Sequence, residues 1–538
     1  MPNVAGNSSS RPILIACYPP PTGGDLAGAE PSTDTATPEQ SFCGGIEETR
    51  ETAVGPTTRA LHRRGVRFMR AVVSSHLPKP VGRQKEVLVL PAEGHTVVLG
   101  TAGSGKTTLA IHRSIHLADP ATDHGGLTLL LTFNKCLVAY LQALAGSLGR
   151  VEVRTYHHFA RGYLDSLGMM RWGAIASPDE VERYCAAAIA AVKSQGVSNP
   201  VLDRPMKFIV EEFRWLAHNG ISSAADYVAA ERVNRAGTRV ARGDRPAVFS
   251  AYAAYLTERE AQGKLHDWDD LASAVLEQLS TDIRPRMYRH VVVDEGQDFS
   301  PQMIRSLAAA IPADGSLTFF GDMAQQIYGN KISWRSAGLS VGQVWNFEEN
   351  YRNTKQISQL ALAISQTPFY HGVADIVVPK APIADGPLPA LVECNSEQQE
   401  LQFVARQAQL RARTGTVAVL FQDREQERRF TPLLSISGTR LHRDLKQWNW
   451  GPGLFYGTYH SAKGLEFDAV YLPHLSSAKM PHPNDVAAFD FAEAAAMDVK
   501  RLYVGVTRAR STLVLTYSGE LSPLVPTALE LMQRSKQP

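Results

Sequence analysis

Cysteine is scarce in this chain: five stand at Cys17, Cys43, Cys136, Cys185 and Cys394 in 538 residues, with no CxxC pair and no histidine at ligand spacing. That scatter argues against a disulfide framework or a structural zinc or iron–sulfur site, and it fits a reducing cytoplasm. No apolar run approaches the roughly 18 residues of a membrane span, so no membrane association is expected, and the N-terminus lacks the charged, apolar, small-residue order of a signal peptide. Net charge is lacking too, at +2 from 55 basic and 53 acidic side chains. A polyanionic partner would therefore have to be met by a local groove. What is present is an ordinary globular composition, 44% hydrophobic and 20% charged, with length for three or four domains of about 100 to 200 residues.

Residues 1 to about 56 are rich in Ser, Thr, Pro and Gly without a sustained period and read as a disordered tail. Arg59, Arg63, Arg64, Arg67, Arg70, Lys79, Arg83 and Lys85 then form a basic segment, either a helix lying on phosphates or a solvated face. From Thr96 onward short apolar strands alternate with helical patterns, which predicts an α/β domain with a parallel sheet.

The strand-like TVVLG, Thr96 to Gly100, opens into GTAGSGKT and then into an amphipathic helix. In that context GxxxxGK[ST] is a phosphate cradle. Gly103 and Gly105 let backbone N–H groups turn onto a triphosphate, with Ser104 and Thr108 in the same stretch; Lys106 reaches the terminal phosphates, and the Thr107 hydroxyl can ligate Mg²⁺. ATP and Mg²⁺ are the implied cofactors. The second charged strand end, VVVDEGQDFS (Val291 to Ser300), then acquires a purpose. Asp294 can hold the magnesium, and Glu295 can orient and deprotonate the attacking water. Gln297 and Asp298 either couple the site to a neighbouring domain or cap a helix that Ser300 and Pro301 would begin. LTFFGDMAQQIYG, Leu317 to Gly329, is a further strand ending in Gly-Asp, with Gln325 positioned to sense a γ-phosphate.

GRQKEVLVL, GTAGSGKT, LLTFNKCL, RTYHHFA, DWDDL, VVVDEGQD, GDMAQQIY, ENYR, TYHSAKGLEF and LYVGVTRAR occur in this order over about residues 80 to 518. The series resembles the superfamily 1 helicases of the UvrD/Rep/PcrA type. The resemblance implies two tandem RecA-like α/β domains. It places Gln84 on the adenine edge, Tyr351 on its ring, Glu466 on the ribose, and Arg352 and Arg508 as arginine fingers completing a site whose other groups lie in the first half. It also puts Phe133, Asn134, Thr155, His157, Tyr328, Thr458 and His460 along a single-strand path. Aromatics there would stack on bases and polar groups would hold phosphates, while core packing remains the alternative for Phe133 and Tyr328. The pair His157 and His158 is discounted as a metal site because neighbours in a strand face opposite ways. DWDDL reads as a helix start ahead of a second metal site.

Three departures stand out. Trp334 and Arg335 follow GDMAQQIY about four positions late, leaving a stacking role for Trp334 in doubt, and Gly296 replaces a bulkier residue. The strands Val417 to Phe421 and Leu454 to Thr458 lie only about 30 residues apart, too close for the large subdomain that relatives insert there. The expected division is 1–80 outside the fold, 81–345 as the first domain with a helical insertion at about 161–265, and 346–538 as the second domain. The implied activity is an ATP-dependent motor on single-stranded DNA, with RNA left open, moving 3′ to 5′. The alternative is an ATP-gated DNA sensor that signals to a partner nuclease or repair protein.

Overall fold

The computed structural model describes residues 77–145, 149–232, 240–322, 334–335, 337–370, 384–442, 445 and 447–537. All of them belong to one compact unit, Met69–Pro538. The N-terminal tail and most of the basic segment therefore lie outside the described residues.

Two wholly parallel sheets organise the described chain. The first contains β1 (Gly94–Gly100), β2 (Thr128–Thr132), β3 (Val151–Thr155), β4 (His290–Val293), β5 (Ser316–Gly321) and β6 (Val341–Phe347), in the order β3-β2-β4-β5-β1-β6. Its inner strands are continuous apolar runs, because helices cover both faces and no face is left for polar alternation. The second sheet runs β13-β7-β12-β11-β8-β10-β9. Its strands are β7 (Ala390–Cys394), β8 (Thr416–Phe421), β9 (Gly438–Arg440), β10 (Gly453–Thr458), β11 (Phe467–Leu472), β12 (Ala509–Ser518) and β13 (Gln533–Lys536). This is the tandem RecA-like arrangement. β6 carries the first sheet two residues past the expected division at 345, because Phe347 still pairs with Gly100.

The helical insertion has its own apolar core, built from Cys185, Phe208, Phe213, Leu216, Tyr227 and Tyr255 and joined by Phe489 from the second half. Its ends meet in a parallel bridge between Ile175 and His266, secured by Ala176 N–H donating to the His266 carbonyl at 2.8 Å. The insertion thus starts later than the expected 161. The helix Tyr156–Ser166 remains with the first domain because Phe159, Ala160 and Leu164 pack in that domain's core. The acids of DWDDL bolt the insertion down. Arg214 and His218 reach Asp269 at 3.1 and 2.9 Å, while Arg259 reaches Asp267 and Asp270 at 2.9 and 2.6 Å. Asp270 does occupy the cap position of helix Leu271–Thr281, but its side chain makes no capping hydrogen bond.

Only residues 441–452 join β9 to β10, where a large subdomain would enter. Within them Trp448 stacks on Phe455 with ring centres 5.0 Å apart, and Tyr140 of the first half meets both Trp448 and Trp450 at 5.2 Å.

Candidate active site

The phosphate cradle forms at the carboxyl end of β1, where parallel α/β sheets open their binding crevices. Gly103 and Gly105 adopt φ of 80° and 84°, the left-handed region that glycine enters without steric cost. Space compels glycine there as well. A Cβ at Gly103 would collide with the Asn350 amide, and one at Gly105 would sit 2.8 Å from Gln84 Nε2. The helix Lys106–Ala118 starts without a side-chain cap, so its first N–H groups and positive dipole end face the loop. Thr107 and Thr108 are half-buried in its first turn, and the buried Ser104 hydroxyl has no hydrogen-bond partner among the described residues. Lys106 is buried and donates to the carbonyls of Gly100 and Thr101 at 2.9 and 2.6 Å, with Asp322 Oδ2 at 3.6 Å. Burial lowers its pKa, while Asp322, Glu295 and Asp294 favour the charged form.

Asp294 follows β4 directly. Both its carboxylate oxygens are buried, with the Thr107 hydroxyl beside them. Burial, then the nearby Glu295 charge, raises its pKa to about 7, offset in part by the Thr107 hydroxyl and the Lys106 ammonium. Such a carboxylate beside a hydroxyl is a suitable donor set for a hard divalent cation. Glu295 breaks the strand with φ 53°, a left-handed conformation that costs about 1 to 3 kcal/mol in a non-glycine residue. Burial opposes its charge, but Lys463, Arg508, Lys106 and a 2.5 Å hydrogen bond from the Gln297 amide outweigh it, and Glu295 ionises below its ordinary value. Gly296 has a steric reason: a Cβ there would strike the buried Phe319 ring.

Neither Gln297 nor Asp298 caps the following helix, and of the two only Asp298 reaches the second half. Ser300 caps the helix Pro301–Ala309 through Met303 N–H at 3.2 Å. Gln297 instead accepts from Asp322 N–H at 2.9 Å, and Asp298 forms a fully buried ion pair with Lys463 of the second half at 2.5 Å. Burial lifts Asp298 to about 6 although Lys463 pulls it down. Lys463 lies inside TYHSAKGLEF yet escaped the sequence reading. It is a lone lysine between small residues facing two carboxylates, Asp298 and Glu295, a relation visible only across the fold.

Arg508 is fully buried. It donates to the carbonyls of Val504 and Leu465 at 2.9 and 3.2 Å and to Thr507 Oγ1 at 3.1 Å, and its field favours the ionised Glu295. Burial lowers its own pKa to about 10. Arg352 is held by Glu466, Nε to Oε2 at 2.6 Å, and Arg510 pairs with the same carboxylate. Glu466 is therefore already engaged by cations. Gln84 donates to the Ser104 carbonyl at 3.0 Å, and Tyr351 N–H donates to the Gly103 carbonyl at 3.0 Å. The Tyr351 ring beside the loop is 56% exposed. Asn353 ties this segment to the second sheet through the Ala509 carbonyl at 2.5 Å.

Phe133 is half-buried, its ring 5.7 Å from His157 and 6.3 Å from Phe299, so packing and an open edge coexist. Asn134 spends its amide donors on the carbonyls of Ser461 and Lys463, at 3.1 and 3.0 Å, linking the halves. Thr155 caps the helix Tyr156–Ser166 by accepting from His158 N–H at 3.3 Å. His157 and His158 thus belong to a helix, and the strand argument about them is corrected. The His157 ring nitrogen meets the Trp268 carbonyl at 3.2 Å, whereas His158 is exposed. Thr458 Oγ1 accepts from Ser461 N–H at 3.3 Å, and burial, then Arg501 and Lys463, lowers His460 to about 3. Trp334 packs edge-on against Phe319 at 5.0 Å. Gln325 and Tyr328 lie outside the described residues.

No helix among the described residues is long and apolar enough to cross a membrane. The profile of the UvrD/REP helicase N-terminal domain matches residues 82–351, and that of the UvrD-like helicase C-terminal domain matches residues 445–520. The chain is similar to ATP-dependent DNA helicase UvrD2 of Mycobacterium tuberculosis, 23% identical over 84% of this chain and 81% of that protein. A probable DNA helicase of Mycoplasma pneumoniae is 22% identical over 81% of this chain and 83% of its own length. ATP-dependent DNA helicase Rep of Salmonella typhimurium is 25% identical over 51% of this chain and 42% of that protein.

Proposed function

The chain belongs to the UvrD/REP helicase family, and from that membership we propose that it is an ATP-dependent DNA helicase that translocates 3′ to 5′ on single-stranded DNA. The observation that carries this reading is the meeting of two halves at one carboxylate: Glu295, after the first sheet, lies in the fields of Lys463 and Arg508 from the second. Glu295 stays ionised and can accept the proton of an attacking water. Lys106 would exchange the Gly100 and Thr101 carbonyls for phosphate oxygens. Arg352 and Arg508 would clamp the charge that spreads over a transferring phosphoryl group. Thr107 and Asp294 would hold Mg²⁺, whose charge neutralises the phosphates when bound. Gln84 and the exposed Tyr351 flank the loop where a base would lie, and the ribose would be met by Glu466.

Arg508 adjoins the second sheet and the cradle the first, so hydrolysis would be coupled to movement of one against the other. The 3′ to 5′ direction draws support from the KGLEF form of the motif around Glu466. Three free, buried cysteines, Cys136, Cys185 and Cys394, suit a cytoplasmic protein. The short 441–452 connection favours a second reading, a DNA-stimulated ATPase that signals to a partner nuclease or repair protein. The test is ATP turnover with and without oligo(dT). Strong stimulation, lost in Lys106→Ala, supports a DNA-driven ATPase at this site, and strand displacement then separates the motor from the second reading. Turnover indifferent to single strands would refute it.

A further inference from the structure

β11 and β12 are parallel neighbours in the second sheet, and Phe467 and Ala509 open them side by side. Glu466 therefore stands just before the first strand and Arg510 just inside the second, and their side chains meet: Arg510 Nη2 donates to Glu466 Oε1. The other carboxylate oxygen takes Arg352 Nε at 2.6 Å. Two guanidinium groups thus share one carboxylate, in different settings. Arg352 is 15% exposed and Arg510 48%, and Arg510 Nη1 has Asp468 Oδ1 at 3.7 Å as a second acid.

Main-chain ties make the cluster one piece. The Arg510 carbonyl accepts from Thr354 N–H at 3.2 Å, and Asn353 donates to the Ala509 and Thr507 carbonyls at 2.5 and 3.3 Å. The segment that carries Arg352 therefore rides on the one that carries Arg508 and Arg510. On its other side it meets the phosphate loop, where a Cβ at Gly103 would come within 2.7 Å of Arg352 Cβ. Burial comes first in lowering the pKa values of Lys106 and Arg508, and the Arg352 charge lowers both further. Three cations so close together suit a triphosphate, and Glu466 offsets Arg352 in its absence.

For Arg352 to turn to a phosphate, Glu466 must give it up. A largely buried carboxylate that loses its only cation is left uncompensated, which is strongly unfavourable. Glu466 has a second one: burial opposes its charge, while Arg352 and then Arg510 favour it.

We propose that Arg510 is a positioning residue for ATP hydrolysis, keeping Glu466 paired while Arg352 leaves that carboxylate for the γ-phosphate. Arg510 touches neither nucleotide nor water in this role; it sets how freely the finger is released. The inference rests on the reading of Arg352 as a finger.

Steady-state ATP turnover of the full chain with oligo(dT) tests it. Arg510→Ala should lower kcat about 2- to 150-fold, the span of couplings within one ion-pair network. KM for ATP should change little, because a finger acts in the transition state. Arg510→Gln, which keeps the stem, should repeat the loss, and Arg510→Lys should recover part of it. The deciding arm is the double variant. Glu466→Gln needs no compensating cation, so adding Arg510→Ala to it should change kcat by no more than about twofold, the margin of independent substitutions. An equal loss in both backgrounds would overturn the proposal, since Arg510 would then act on something besides Glu466. A loss carried by KM would overturn it in favour of a nucleotide-binding role. Unchanged kcat in Arg510→Ala would overturn it and leave the finger standing. Normal turnover in Arg352→Ala would overturn the finger reading together with the proposal.

Discussion

The nucleotide cleft and a surface groove on the first domain, lined by Lys135, Arg154, Arg161, Arg171, Trp172 and Trp268, are both rich in cations, but they hold them in opposite ways. In the cleft the basic groups are engaged internally: Lys106 with two carbonyls and Asp322, Arg352 with Glu466, Lys463 with Asp298. In the groove Arg154 pairs with Glu152 and Asp165 shares the lining, while Lys135, Arg161 and Arg171 face solvent outside any ion pair among the described residues. A buried charge without a partner is costly, so a cleft that waits for a triphosphate must satisfy its own cations meanwhile. Exposed cations need no such partner, and their attraction for a polyanion is screened by salt. The difference separates a preorganised chemical site from an open, solvated surface.

The sharpest way to break this contrast is at Arg508, fully buried and facing Glu295. Arg508→Ala should lower turnover by about 10³ to 10⁵ with little change in nucleotide affinity. Steady-state kinetics beside a binding titration will separate the two. A collapse of affinity with a normal rate per bound ATP would make Arg508 a binding or structural group. Glu295→Gln comes next, with an expected loss of about 10² to 10⁴ while ATP stays bound. Lys106→Ala should lose affinity and turnover together, and single-turnover measurements distinguish these patterns.

A smaller effect should follow at the Asp298–Lys463 pair, where both side chains are 3% exposed. Lys463→Met alone leaves a buried carboxylate uncompensated and should cost about 3 to 5 kcal/mol, while adding Asp298→Asn should restore much of the loss. Thermal melts of the singles and the double variant test this, and a double variant worse than either single would contradict it. The smallest effect concerns His460, lowered to about 3 by burial and by the Arg501 and Lys463 charges. The unfolded chain takes up this proton near 6.5, so the stability contribution is complete above that pH and falls as pH drops toward 3. His460→Gln should flatten that part of the acid unfolding curve. An unchanged curve would mean that His460 is readily protonated in the fold.

What the sequence disclosed follows how local each feature is. The cradle from Gly100 to Thr107 was legible because strand, turn and helix start are contiguous and each residue type has one mechanical reason. The cap Ser300–Met303 was legible for the same reason. Thr155 carried an equally local cap signal, yet the alternation in VEVRT drew the strand reading past it into His157 and His158. The Lys463–Asp298 pair, the Asn134 link and the bolting role of Asp267, Asp269 and Asp270 depend on partners brought together by the fold. The groove is assembled from four separated segments, so no single stretch announced it. Gly296 was visible as a departure, but only the Phe319 ring explains it.

A chain that ATP hydrolysis drives along single-stranded DNA should strip off a strand paired ahead of it. The most direct measurement is displacement of a short labelled strand from duplexes carrying a single-stranded tail at either the 3′ or the 5′ end. A 3′ to 5′ motor gives ATP-dependent release from the 3′-tailed duplex, none from the 5′-tailed one, and none from either with Glu295→Gln. Release from neither duplex by a wild-type protein with full DNA-stimulated ATP turnover would contradict the motor and leave the partner-signalling ATPase in its place.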